Sequence, residues 1–314
     1  MKDFPMRAGF RTAFSLGLAT ACFFLTAGAG LRAEPDDGVF RLVFSSSMFT
    51  EVNESDVRAA MKVWIMTVAE ERGLPVDPEP YLARNIDELT LACGSPRTGG
   101  CAVILPEYAR LRREIAFSHH ALSIAGGEYT EEYLLLARRD SGLERLDQLQ
   151  GRRVAVLNNP RMSLALVWLD TLLLEAGHAP AANWFQSVVF NKSASQTALP
   201  VFFSQIETCL ITRSAFETMV ELNPQLQEQL RVIAASPPLV PALFVYTADS
   251  SNFFRTSMLE AMEQFRDNPA GLQILHLTQS ENIEIRPPAV LEPSLELLDR
   301  HDRLLGAAGN GGNQ

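Results

Sequence analysis

The chain has 314 residues, of which 47% are hydrophobic and 20% are charged, and its formal net charge is −10. A chain this acidic is a poor partner for nucleic acid or for an anionic membrane surface, so its charge argues against both classes of function. Its length exceeds that of a typical single domain and therefore predicts two lobes.

The first 33 residues have the three-part pattern of a secretory signal peptide. Basic residues within the first eleven positions precede an almost entirely apolar run at residues 12–25. Small residues follow the run and predict cleavage after Ala29 or Ala33, and the run is short for a membrane anchor. We therefore expect a periplasmic protein, with an ordinary N-terminal core helix as the alternative.

Predicted strands and helices alternate along the rest of the chain. Short apolar runs predict strands at residues 39–44, 101–105, 133–137, 154–157, 188–190, 208–211, 230–234 and 243–246. Apolar residues at helical spacing predict helices at residues 54–72, 143–150, 164–176, 257–265 and 291–305. The Gly- and Asn-rich tail, residues 306–314, is predicted to be disordered. This alternation is typical of an α/β fold with mostly parallel sheets.

Two cysteines flank a loop rich in glycine and proline. Cys93 and Cys101 are separated by Gly-Ser-Pro-Arg-Thr-Gly-Gly, and an exported protein meets an oxidising compartment. A disulfide between them is favoured, with free thiols as the first alternative. A metal site is less favoured because the spacing is not that of a zinc knuckle. Cys209 lies in an apolar run and is predicted to be a small buried side chain.

Polar side chains and cations follow several predicted strands. Ligands of α/β sheets bind beyond the carboxyl ends of the strands, where helix N-termini converge. The candidate ligand-binding residues in these loops are Ser45, Ser46, Ser47, Tyr108, Asn158, Arg161, Ser163, Lys192, Ser193, Ser195 and Arg213. The three cations among them predict a site for a small anion, because the arginine fork suits carboxylate or phosphate. The alternatives are that the hydroxyls and amides cap helices, and that the cations pair with nearby acids such as Glu207 or Glu217.

Motifs for catalysis are missing from the sequence. None of the five histidines follows a predicted strand next to a candidate nucleophile. The sequence has no Gly-x-Ser-x-Gly turn and no glycine-rich phosphate loop. We therefore predict that the protein is not an enzyme, that it holds no metal and that it needs no cofactor.

Two stretches in the middle of the chain read YLLLARRDSGLERLDQLQGRRVAVLNNPRMS and, later, LLLEAGHAP. They resemble the periplasmic substrate-binding proteins of phosphate, phosphite and phosphonate ABC transporters. An aromatic residue, Tyr133, precedes a strand, and an Asp-Ser-Gly turn follows at residues 140–142. A short helix then ends in Leu-x-Gly-x-Arg-Val-Ala at residues 149–155, and Glu-Ala-Gly closes a later helix at residues 175–177. A looser similarity extends from about residue 39 to about residue 275.

This resemblance implies an α/β, two-lobed type II periplasmic-binding fold. Each lobe is expected to be a mostly parallel sheet flanked by helices, with two crossing segments as the hinge. The crossings are expected near residues 134–137 and 241–245. Lobe one would then combine residues 34–137 with 244–305, and lobe two would be residues 138–243.

The resemblance also implies a function. A monomer would capture a small, phosphate- or phosphonate-like anion between the lobes, with Tyr108 walling the pocket, and deliver it to an ABC permease. The alternative is a sensor that signals to a membrane receptor kinase or cyclase. In the family a hydroxyl-rich loop follows Val-Ala, whereas residues 158–163 here read Asn-Asn-Pro-Arg-Met-Ser. Either Arg161 replaces those hydroxyls with one charged fork, or the ligand differs.

Overall fold

The computed structural model describes residues 39–50 and 52–311, so the predicted signal peptide at residues 1–33 lies outside the described residues. The strands of the described part are β1 Arg41–Ser45, β2 Tyr81–Ala83, β3 Thr98–Ile104, β4 Phe117–Ile124, β5 Tyr133–Arg138, β6 Arg153–Leu157, β7 Ser187–Asn191, β8 Thr208–Thr212, β9 Leu230–Ala235, β10 Ala242–Thr247 and β11 Asn282–Arg286. Its helices are α1 Glu54–Arg72, α2 Ile86–Cys93, α3 Leu105–Leu111, α4 Ala165–Glu175, α5 Ala181–Trp184, α6 Ala194–Phe202, α7 Arg213–Leu222, α8 Gln225–Gln229, α9 Asn252–Glu263, α10 Pro269–Leu277 and α11 Glu292–Gly311. Within these ranges, no helix has both the length and the apolarity to cross a membrane.

The strands form two sheets, one for each lobe. Sheet one has the order β11-β4-β10-β3-β1-β2, and sheet two has the order β7-β6-β8-β5-β9. β2-β1-β3 and β7-β6-β8 are parallel, but β10 and β5 run antiparallel to their neighbours. Both sheets are therefore mixed: most strands of each sheet run in one direction, as expected, and β5, β10 and β11 run in the other. The reason is that β5 and β10 are the strands by which the chain enters a sheet from the other lobe.

The crossing segments lie at residues 125–132 and 236–241, between β4 and β5 and between β9 and β10. They are bonded to each other, because Glu131 N donates to Leu239 O at 2.7 Å and Leu239 N donates to Glu131 O at 2.9 Å. The crossings expected at residues 134–137 and 241–245 are misplaced. Residues 134–137 are buried and pair with β8 and β9 along their whole length, as in an interior strand.

Local sequence signals explain the elements that were predicted well. Helix α1 begins where the Asn53 side chain accepts from Ser55 N, and it ends at Gly73, whose φ of 62° is the left-handed conformation that favours glycine. The apolar residues at helical spacing form its buried face. The helix predicted at residues 54–72 and all eight predicted strands are confirmed.

Two predicted elements are wrong. The helix predicted at residues 143–150 is only a 3-10 turn, Leu146–Leu149, in which the Gln148 side chain accepts from Glu144 N and Arg145 N. The predicted disorder of residues 306–314 is contradicted up to Gly311, where α11 ends. That helix packs on α4 and α3, which are flanking helices of the two lobes, so α11 contacts both lobes.

Three cysteines of the described part are buried and unbonded: Cys93, Cys101 and Cys209. The predicted Cys93–Cys101 disulfide is therefore not formed in this structure. Burial, and next a hydrogen bond that the thiol donates to Cys93, raise the pKa of Cys101, and burial raises the pKa of Cys209 to about 12. Because all three side chains are buried, reagents in solution do not reach them in the folded state.

Alkylation followed by peptide mass mapping tests this arrangement. We expect no labelling of Cys93, Cys101 or Cys209 in the native protein, and labelling of all three in denaturant without reductant. Cys209 is the internal control because its apolar site offers it no partner thiol. Labelling of Cys209 alone in denaturant would mean that the other two cysteines form a disulfide and that the unbonded arrangement is wrong.

Two helical glycines have opposite surroundings and give a matched pair of variants. A Cβ atom on Gly271 in α10 would lie 2.3 Å from the backbone oxygen of Phe265, whereas a Cβ on Gly306 in α11 would meet nothing within 4 Å. We expect Gly271→Ala to lower the free energy of unfolding by about 1–3 kcal/mol, because backbone atoms must move. Gly306→Ala should raise it by about 0.5–1 kcal/mol through helix propensity. Denaturant titration measures the change in the free energy of unfolding for both variants. If the two changes have the same sign, the close packing around Gly271 in α10 is wrong.

Candidate functional site

A narrow cleft lies between the two lobes and holds a cavity of about 60 Å³. Lobe one contributes Met48, Phe49 and the end of α10, and the crossing segments contribute Tyr129 and Pro241. Lobe two contributes the turn that follows β6, with Arg161 at its centre. This is the position beyond the carboxyl ends of parallel strands where α/β folds bind ligands.

Arg161 lies on the cleft wall because a proline turn follows strand β6. The turn Pro160–Met162 begins at Asn159, whose side chain accepts from Met162 N at 3.2 Å. From there, Arg161 Nη1 donates to Glu131 Oε1 at 2.6 Å, and Arg161 Nη2 donates to the backbone oxygen of Gln279 at 2.7 Å. Arg161 therefore joins lobe two to a crossing segment and to lobe one at the same time.

Glu131 is the counter-ion of this arginine and is almost completely buried. Its side chain is 5% exposed, against 18% for Arg161, and its second carboxylate oxygen accepts from Ser214 Oγ at 3.0 Å. Burial, and next the negative charge of Glu131, raise the pKa of Tyr133, whose hydroxyl donates to the backbone oxygen of Arg161 at 3.0 Å. The anion site that the sequence predicts around Arg161 thus already contains a carboxylate of the chain itself.

Ser163 is the other predicted residue that the structure brings to the hinge. Its Oγ donates to the backbone oxygen of Pro241 at 2.6 Å. Pro241 lines the cleft and belongs to the second crossing segment, so Ser163 ties the loop after β6 to the hinge. Its hydroxyl proton is consequently used within the protein.

The three serines after β1 are arranged around a second carboxylate. Ser45 Oγ and Ser47 Oγ donate to Glu107 Oε1 at 2.7 Å and 2.9 Å, and Ile104 N donates to Glu107 Oε2 at 3.1 Å. Ser46 starts the 3-10 turn Ser46–Met48. The hydroxyls that were predicted to bind a ligand therefore fix this turn to the start of α3, and they present Met48 and Phe49 to the cleft.

Tyr108 was expected to wall the ligand pocket, and the structure instead buries it. The residue is 5% exposed, and its hydroxyl lies 2.8 Å from His120 Nε2. Burial raises the pKa of Tyr108, while burial, and next the positive charges of His119 and Arg112, lower the pKa of His120. The pair is therefore uncharged near pH 7 and belongs to the core.

The remaining predicted residues are spread over the surface of lobe two. Asn158, Lys192, Ser193 and Ser195 are all at least partly exposed, and Ser193 caps α6 by accepting from Gln196 N. Arg213 Nε donates to Glu132 Oε2 at 2.8 Å, and Arg213 also lies 3.9 Å from Glu217. Ser193 and Arg213 thus have the capping and ion-pairing roles that were the alternatives to ligand binding.

Sequence reasoning missed the residues that complete the cleft. Glu131 and Gln279 contact Arg161, and Met48, Phe49 and Thr278 form much of the opposite wall. The pair Glu131-Glu132 directly before an apolar strand was a signal for such contacts in the sequence. Carboxylates that are buried at the start of a strand need hydrogen-bond donors or positive charges as partners. The apolar wall had no comparable signal, since a methionine and a phenylalanine after a strand are usually core residues.

The two mixed α/β lobes, the paired crossing segments and the cleft between them define a two-lobed periplasmic-binding protein. The family model for periplasmic substrate-binding proteins of phosphonate ABC transporters matches residues 107–284, more than half of the chain. The chain belongs to this family, whose members bind a small ligand outside the cytoplasm for an ABC transporter and are not enzymes. No curated protein sequence matches the chain.

Solved structures show the same fold at low sequence identity. A Xanthomonas citri protein bound to chloride superposes with a TM-score of 0.60 at 15% identity, over 86% of this chain and 99% of that one. A binding protein of a Pseudomonas aeruginosa ABC phosphonate transporter gives 0.57 at 15% identity, over 87% and 89%. A Prochlorococcus marinus protein in complex with methylphosphonate gives 0.55 at 12% identity, over 83% and 97%.

Proposed function

We propose that this protein is exported by means of residues 1–33 and, as a monomer, captures a small organic anion in the interlobe cleft for delivery to an ABC permease. We propose lobe bounds that follow the crossing segments, with residues 39–124 and 242–305 in lobe one and residues 133–235 in lobe two. The proposal depends on the position of Arg161 in the wall of the cleft. Of the described residues that line the cleft, it is the one with a positive charge.

Arg161 has donors left for a ligand. A guanidinium group carries five N–H donors, and the hydrogen bonds to Glu131 and Gln279 use two of them. The carboxylate of Glu131 also supports the proposal, because it is an anion held at this position by an arginine and a hydroxyl. Chloride and methylphosphonate, the ligands of two proteins with this fold, are anions as well.

The charge of Glu131 bears on which anions bind well. Arg161 and Glu131 together are neutral, so the pair offers little net attraction to offset the desolvation of a bound head group, and that desolvation costs more for two negative charges than for one. We therefore propose a singly charged head group as the preferred ligand. The apolar side chains of Met48 and Phe49 on the opposite wall favour an organic substituent over an inorganic ion.

Calorimetry with methylphosphonate, methanesulfonate, acetate and phosphate tests the proposal. Glu131→Gln removes the competing carboxylate and should tighten binding of the preferred anion about tenfold, which corresponds to about 1.4 kcal/mol. Arg161→Met combined with Glu131→Gln should abolish binding without leaving a lone buried charge. Arg139→Met is the matched control, because Arg139 is exposed and lies outside the cleft. Equal affinities in all these variants, or no binding of any anion, would overturn the proposal.

A further inference from the structure

A second cavity lies inside lobe one, directly behind the wall of the cleft. It has a volume of about 50 Å³ and lies between the face of sheet one at Ala121 and the buried side of α1 at Met61 and Trp64. Apart from Ser123 and Thr278, its lining residues are apolar. Because apolar side chains make up most of this lining, the cavity is suited to an apolar group.

The cavity and the cleft share part of their walls. Met48, Phe49, Ser123 and Thr278 line both spaces. The hydroxyl of Thr278 donates to the backbone oxygen of Ile274 at 3.0 Å, so its polar group is satisfied within α10. The two spaces are thus separated by side chains.

Met48 is the side chain best able to open the connection. It is half-buried at the end of the turn Ser46–Met48, and the backbone of that turn is held in place by the bonds from Ser45 and Ser47 to Glu107. Methionine is unbranched and changes rotamer easily. A fixed backbone with a flexible side chain allows an opening to form without unfolding the turn.

We propose that the ligand is an amphiphilic anion whose head contacts Arg161 and whose short linear alkyl chain passes Met48 into the cavity of lobe one. This inference rests on the proposed function, since it takes Arg161 as the site of the head group. It adds a second subsite and a substrate class, namely acids that carry an unbranched chain of a few carbons. Binding is then selective for the length and shape of the chain.

Calorimetry with n-alkylphosphonates from methyl to hexyl tests the inference on the whole protein. Each added methylene that leaves water for the cavity should increase affinity about threefold to fourfold, and the gain should stop when the cavity is full. n-Butylphosphonate should bind several-fold more tightly than tert-butylphosphonate, whose branched tail cannot pass Met48. This comparison needs no variant and therefore does not depend on the folding of one.

A cavity-filling variant supplies the second test. Ala121→Val places two methyl groups at the cavity wall and should remove most of the gain with chain length, while methylphosphonate binds as before. Ala155→Val is the matched control, because Ala155 is an equally buried strand residue in sheet two. That variant should keep the dependence on chain length.

The two proposals fail differently. If methylphosphonate binds and longer chains bring no gain, or if tert-butyl- and n-butylphosphonate bind equally, the tail subsite is wrong and the anion site stands. If no alkylphosphonate of any length binds, the tail subsite is wrong, and the anion site is overturned as well only if methanesulfonate, acetate and phosphate also fail to bind. Tight binding of n-butylphosphonate combined with weak binding of methylphosphonate supports the tail subsite.

Discussion

Replacing Arg161 with methionine is expected to lower the free energy of unfolding by about 3–5 kcal/mol. The variant leaves the Glu131 carboxylate 5% exposed, with Ser214 Oγ as its one remaining side-chain donor among the described residues. A buried charge without its counter-ion loses its hydration without compensation. Urea denaturation of the wild type and the variant measures the loss.

A double-mutant cycle separates the contribution of the Arg161–Glu131 ion pair to stability from the contribution of the packing of the arginine side chain. Arg161→Met together with Glu131→Gln should recover most of the lost stability, because the glutamine side chain is neutral and keeps an oxygen for Ser214. The matched control is Arg213→Met, which breaks the neighbouring Arg–Glu pair with Glu132. Those side chains are 42% and 32% exposed, so the expected loss is at most about 1 kcal/mol. Equal losses in Arg161→Met and Arg213→Met would contradict the burial of the hinge pair.

The fold was predictable because its signals are local. The N-cap, the apolar face and the terminal glycine of helix α1 are all visible in its own stretch of sequence. Each predicted strand is an apolar run that is bounded by polar residues, glycine or proline. Three strands were missed for physical reasons. β2 has three residues, β4 contains Ser118 and two histidines, and β11 is a sheet-edge strand with charged residues.

The site was only partly predictable because its geometry depends on partners far away in sequence. Arg161 and Ser163 were identified as site residues from the strand–turn pattern, and both contact the hinge. Ser45 and Ser47 bond to a carboxylate that is about sixty positions away, and no local rule reveals such a partner. Tyr108 was predicted to wall the pocket, whereas the structure buries it in the core. The sequence could not separate the two positions, because a tyrosine after a strand is compatible with either.

The carboxylates of the cleft change how the family resemblance applies to this chain. A family loop rich in hydroxyls grips a ligand's oxygens with neutral donors, whereas this chain has Arg161 beside Glu131 and has its serines bound to Glu107. Ligand binding must therefore compete with, or share, internal hydrogen bonds that are already made. Because Arg161 of lobe two bonds to Glu131 of a crossing segment and to Gln279 of lobe one, that competition also couples the proposed head-group site to the relative position of the lobes.

Replacing Trp64 with alanine is expected to lower the free energy of unfolding by about 3–5 kcal/mol, as large losses of buried aromatic volume do. Trp64 is 2% exposed and stacks on Phe265, with ring centroids 5.1 Å apart and planes at 13°. It also lines the cavity of lobe one, so the alanine variant enlarges a space that is already unfilled. Surrounding helices α1 and α10 cannot collapse onto the gap without moving the cleft wall.

Trp64→Phe keeps an aromatic ring at this position but removes the polar indole N–H, so it distinguishes their contributions to stability. The indole nitrogen is buried and has no hydrogen-bond partner among the described residues, so removing it costs no hydrogen bond and relieves an unsatisfied donor. We expect this variant to lose less than about 1.5 kcal/mol, because the stacking on Phe265 is kept. Denaturant titration of both variants measures the difference. If Trp64→Phe costs as much as Trp64→Ala, the indole N–H has a partner, and the cavity wall is more polar than the apolar tail subsite requires.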